Sequence, residues 1–95
     1  GTYVKKPIPV EAFQFGVEAM PDWFMEAQID DVVKVIYPRR ACNVALQLIG
    51  AKAYINTLEG VIEACYGDFI IKGIRGELYP CKAYIFAESY EVYKK

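Results

Sequence analysis

The chain has 95 residues, 55% of them hydrophobic and 24% charged, which suits one domain, residues 2–95, folded around a core, and excludes a disordered segment. Its net charge is -1, with 11 Lys and Arg against 12 Asp and Glu shared evenly between the two halves, so it lacks the basic excess or basic tail of a general nucleic-acid binder. There is no histidine, and every mechanism that needs an imidazole as base, acid or metal ligand is closed to it.

Along Val10 to Phe15, Val10, Ala12 and Gln14 share one face and Glu11, Phe13 and Phe15 the other. That alternation predicts a strand, ended by Gly16 and led in by an edge or extended stretch around Pro7 and Pro9. Pro21 introduces a short helix over Asp22–Ile29, with Trp23, Ala27, Met25 and Ile29 at helical spacing and Asp22 at the positive end of the helix dipole. Its apolar face is expected to cover a sheet. Val32–Tyr37 is β-branched and aromatic, hence a strand, and Pro38-Arg39-Arg40 a loop. Val44–Ile49 is ambiguous alone, and its neighbours favour a strand. Ala53–Leu58 and Val61–Cys65 read as a hairpin about Glu59-Gly60.

Tyr66-Gly67-Asp68 is then a turn, Phe69–Lys72 a buried strand, Gly73–Gly76 a further turn, and Glu77–Tyr79 a strand closed by Pro80. Ala83–Ala87 reads as a helical turn and Tyr90–Tyr93 as a final strand. The sum is an α+β fold: a curved antiparallel β-meander, open-barrel-like, with one short helix packed on it.

The three cysteines, Cys42, Cys65 and Cys81, are too few and too far apart for a disulfide framework or a zinc site, and are expected to be buried, reduced thiols. Neither a metal nor a cofactor is expected. No apolar run approaches the length of a membrane span, and the N-terminus has no signal-peptide core, so the chain reads as cytoplasmic.

Lys5-Lys6-Pro7, Val10-Glu11-Ala12-Phe13-Gln14, Asp22-Trp23, Thr57-Leu58-Glu59-Gly60, Gly67-Asp68-Phe69-Ile70-Ile71-Lys72-Gly73, Gly76-Glu77-Leu78-Tyr79-Pro80-Cys81-Lys82, and Ile85-Phe86 with Tyr90-Glu91 together resemble a family of small, mostly uncharacterised phage and prophage proteins. The block from Gly67 to Lys82 is its most specific part. The family usually has proline before the glycine at 67 and a Pro-Asp pair after the lysine at 82, where this chain has Tyr66 and Ala83-Tyr84. The resemblance implies a phage or prophage origin, and by analogy a binding or inhibitory module in preference to an enzyme.

Lys72, Arg75 and Lys82, with Lys5-Lys6, are candidates to converge beside Tyr79 in a basic, aromatic surface suited to an acidic partner or a nucleotide. Scattered solvated lysines are the plainer alternative. Arg39 and Arg40 are either a clamp for a phosphate or carboxylate or a solubilising turn. Trp23 is either the staple of its helix or a contact anchor. The Gly67-Asp68 and Gly73-x-x-Gly76 turns match no nucleotide fingerprint and read as hairpin geometry.

Ser89 is the one serine and the thiols have no imidazole to activate them, so no catalytic residue is named and no enzyme is expected. Carboxylate pairs such as Glu11 with Glu63, or Glu59 with Asp68, read as solvated faces. The expected function is a non-catalytic phage or prophage accessory protein that engages a host or phage protein through a sheet edge or an aromatic patch. The alternative is a protein that sequesters a small ligand or nucleotide on the basic-aromatic surface. Self-association into a homo-oligomer is compatible with the apolar surplus.

Overall fold

A computed structural model describes residues 1–39 and 42–93. The elements follow in the order β1 (Glu11–Gln14), α1 (Asp22–Ile29), β2 (Val33–Ile36), α2 (Val44–Gly50), β3 (Lys52–Thr57), β4 (Gly60–Cys65), β5 (Phe69–Lys72), β6 (Leu78–Cys81) and α3 (Ala83–Ser89). The fold is α+β, and every strand pair is antiparallel. One open sheet, β2-β3-β4, is a meander; the other, β1-β5-β6, takes its third strand from the far end of the chain. Beside α1, the helical turn read at Ala83–Ala87 extends to the helix α3, and α2 is a further helix.

β5 is the central strand of its sheet, and this explains its unbroken apolar run. Ile70 and Ile71 point to opposite faces and both are fully buried, the pattern of a strand covered on two sides. On one face, Phe13, Ile70 and Leu78 meet Val33, Ala53, Ile55 and Ala64 of the other sheet in a common core, closed by Phe15, Phe24 and Ala27. Ala53 and Ala64 stand directly opposite each other in the β3-β4 register, a pair small enough to admit the phenylalanines of the facing sheet. On the other face, α3 docks through an aromatic stack. Phe86 lies on Phe69 with ring centroids 3.9 Å apart, and Tyr90 lies on Phe86 at 4.8 Å.

Several elements differ from the sequence reading. The face of α1 that enters the core is Phe24 and Ala27, with Trp23 and Met20 alongside, while Met25 and Ile29 face outward. Val44–Ile49 is helical and not a strand. Asn43 caps it, its side-chain oxygen accepting from the Leu46 amide at 2.9 Å, and Ala-Leu-Gln-Leu are good helix formers. Pro80 lies within β6, which tolerates it because this is an edge strand with no partner for the missing N–H on its outer side. Tyr90–Tyr93 forms no strand, because stacking on Phe86 holds Tyr90 over the sheet instead of at its edge. The thiols are not buried: Cys42 is exposed, Cys65 and Cys81 are half-buried, and all three are free.

The two sheets are joined at Tyr66-Gly67-Asp68. Gly67 supplies a φ of 88°, a conformation costly to side-chain-bearing residues. Its N–H donates to the Phe15 carbonyl at 2.9 Å, and the Phe15 N–H donates to the Asp68 carbonyl at 2.8 Å, so the end of β1 is stitched to the turn. The Asp68 carboxylate, on a residue only 6% exposed, accepts from the Cys65 amide at 2.9 Å and from the Lys82 ammonium at 3.2 Å. Gly16 completes the junction. Its φ is 82°, and a Cβ there would lie 2.6 Å from the Tyr66 ring and 3.4 Å from the Leu48 carbonyl oxygen of α2.

Asp68→Ala leaves the Cys65 amide without its acceptor and is expected to cost about 1–3 kcal/mol in urea unfolding, with a smaller loss for Asp68→Asn, which keeps an acceptor. Gly16→Ala is expected to cost about 1–2 kcal/mol through its left-handed backbone. Part of any further loss should be recovered in a Tyr66→Ala background, because the Tyr66 ring is the first atom group the new methyl meets.

Candidate functional site

The register decides the fate of the basic-aromatic set. Lys72 pairs with Leu78 at one end of the β5-β6 ladder, and Phe69 with Cys81 at the other, so Lys72 and Lys82 lie at opposite ends of the hairpin. Arg75 shares the turn end with Lys72. Tyr79 is opposite Ile71, on the α3 side of the sheet. The structure therefore brings Lys72 near Arg75 and separates both from Lys82.

Two of these cations have partners within the chain. The Lys72 ammonium is 3.7 Å from the Glu11 carboxylate and that of Lys82 is 3.2 Å from Asp68. The hydrogen bond to Asp68, then its charge, raises the Lys82 pKa above the ordinary lysine value. On the other sheet Lys52 is 2.8 Å from Glu63 and donates to the Cys65 sulfur at 3.7 Å. Its pKa is likewise raised, first by the bond to Glu63 and then by Cys65. Glu11 and Glu63 thus belong to separate ion pairs on separate sheets, and Glu59, in the β3-β4 hairpin, and Asp68, in the turn before β5, lie in different turns.

The glycine turns hold anions of their own. In the Gly73–Gly76 turn the Arg75 amide donates to the Glu77 carboxylate at 3.1 Å. That side chain lies against Gly73, so that a Cβ at this position would overlap it. The other turn folds the Asp68 carboxylate onto the Cys65 amide. Backbone N–H groups of the kind that cradle phosphate are here taken by the chain's own carboxylates.

Trp23 packs on Phe13, edge to face at 5.6 Å, and so staples α1 to the sheet. Arg39 is exposed beyond β2; Arg40 lies outside the described residues. Tyr79 belongs to the α3 contact. Burial, and next the Tyr90 phenol beside it, push its pKa up to about 12. No group of three or more His, Cys, Asp or Glu able to hold a metal is present among the described residues, and no helix among them is long and apolar enough to cross a membrane.

Two surfaces escaped the sequence reading. The first is α2, whose Val44, Ala45, Leu46, Leu48 and Ile49 make more than half of its circumference apolar, although none is buried. Val44 is 69%, Leu46 46% and Ile49 54% exposed. An apolar face this wide is normally covered. Pro38 packs against its last residue, Gly50, which sets Tyr37 and Arg39 at its border. The Asn43 cap followed by Ala-Leu-Gln-Leu was the signal that could have revealed it. The second is an open groove of about 920 Å³ between the Pro7–Val10 segment and the end of α3, walled by Ile8, Val10, Phe86, Tyr90, Val92 and Tyr93.

No family model, curated protein or solved structure matches this chain. Its function must be argued from these surfaces. Both surfaces leave apolar side chains uncovered by the described residues, while Lys72, Lys82, Glu77 and Asp68 are engaged within the fold.

The Tyr79 shift has a definite sign. A phenol whose pKa is raised from 10.0 to about 12 on folding contributes stability that is complete below pH ~10 and lost as the pH rises through ~12. In an absorbance titration of the eight tyrosines, one is expected to ionise last, and Tyr79→Phe should remove that final step.

Proposed function

We propose that the protein is a non-catalytic binding module of phage or prophage origin, acting in the cytoplasm of the bacterial host, whose target is a host or phage protein. The observation that supports it most directly is α2, which displays Val44, Leu46 and Ile49 with none of the described residues over them. Contiguous exposed apolar side chains with a polar rim are the character of a protein interface. Tyr37 and Arg39, residue types enriched at interface hot spots, stand at the border. Arg39, one of the binding residues suggested by the sequence, keeps that role here as a rim residue. Lys72, Arg75 and Lys82 are less suited to a nucleotide, because the register spreads them over both ends of one hairpin.

The test is affinity capture from an infected host with the unmodified chain and with Leu46→Asp and Ile49→Asp. These side chains lie outside the core, so both variants should unfold within about 0.5 kcal/mol of the parent. A protein retained by the parent and lost from both variants is the expected result. A partner held equally by all three would contradict the reading. So would a nucleotide or cyclic dinucleotide that stabilises the chain by about 2.7 kcal/mol at 100 times its Kd.

A further inference from the structure

We infer that the groove beside α3 receives the N-terminal arm of a second copy of this chain, and that two copies exchange arms reciprocally. The arm, residues 2–6, is exposed throughout. Tyr3 is 91% and Val4 90% exposed, two apolar side chains that none of the described residues covers.

The direction of the arm is imposed by covalent geometry. Lys6 and Ile8 each precede a proline and are held extended, and the Ile8 amide donates to the Lys6 carbonyl at 2.8 Å, fixing the bend at Pro7. Residues 2–6 do not line the groove, although the Pro7–Val10 root of the arm forms one of its walls.

Groove and arm complement each other in three respects. The groove is apolar and aromatic, with Phe86, Tyr90 and Tyr93 offering ring surface for Tyr3 and a floor for Val4. Glu91 lines it and Glu88 is exposed on α3, carboxylates to face Lys5 and Lys6. Five extended residues span about 17 Å, enough to follow the last turn of α3 and the Tyr90–Tyr93 segment. Because the arm root is one wall of the groove, a two-fold axis beside it makes both contacts equivalent, which closes the assembly at a dimer.

Sedimentation of the full chain between roughly 5 and 500 µM is expected to show conversion of the 10.8 kDa monomer to a dimer. Tyr3→Ser with Val4→Ser should weaken that association at least about tenfold without altering the fold, since both residues are solvent-exposed. In a mixture of isotope-labelled and unlabelled copies, the Tyr3 ring of one copy should show NOEs to Phe86, Tyr90 or Tyr93 of the other. A chain that stays monomeric over the whole range, a dimer indifferent to the arm substitutions, or Tyr3 contacts confined to one copy would each overturn the inference. The α2 reading would stand in any of these cases, because it concerns a different surface.

Discussion

One buried carboxylate sets the relation between the two halves of the molecule. Asp68 ends a three-residue connection between the sheets and bonds at once to the Cys65 amide of β4 and to Lys82 beyond β6, while its own carbonyl takes the Phe15 amide at the end of β1. A carboxylate taken out of water is costly unless its lone pairs are used. Here both an amide and an ammonium use them. The β4, β5 and β1 termini are consequently held together at one point, and the core between the sheets closes around them. Gly16 and Gly67 are the conformational conditions for this meeting of chains, since each accepts a positive φ where the backbones approach.

The same junction limits what the polar residues can do elsewhere. Lys82 is committed to Asp68, Lys72 to Glu11, Lys52 to Glu63, and the Gly73–Gly76 turn closes over Glu77. These charges are met within the chain. Its unmet surface is instead apolar: α2 on one side of the molecule's sequence and the arm with its groove on the other. An interface built from such parts gains from burying carbon area, with charge acting at the rim to orient the partner.

Much of the fold was legible because it is encoded locally. Phe69-Ile70-Ile71 announces a strand buried on both faces, and Gly60 and Gly67 mark turns where a positive φ is found. The alternation along Val10 to Phe15 placed Phe13 and Phe15 on one face, and both are buried. The failures share a cause. Val44–Ile49 is apolar at almost every position, so periodicity could not separate strand from helix, and the Asn43 cap was the deciding signal. In α1 the spacing of Met25 and Ile29 is as helical as that of Phe24 and Ala27, and only the facing sheet chooses between them. The β1-β5 pair joins residues about sixty apart in sequence, beyond the reach of any local rule. For a related reason, the separation of Lys72 from Lys82 could not be read locally, because the hairpin register sets it.

Native-state hydrogen exchange tests most directly whether the Asp68 junction makes one cooperative unit of the two sheets. If it does, the amides of Cys65, Phe15 and Gly67 exchange only through global unfolding, with the same free energy as the core amides of β3 and β5. Exchange of these three through a local opening that leaves either sheet protected, with separate opening energies for the two sheets, would contradict it.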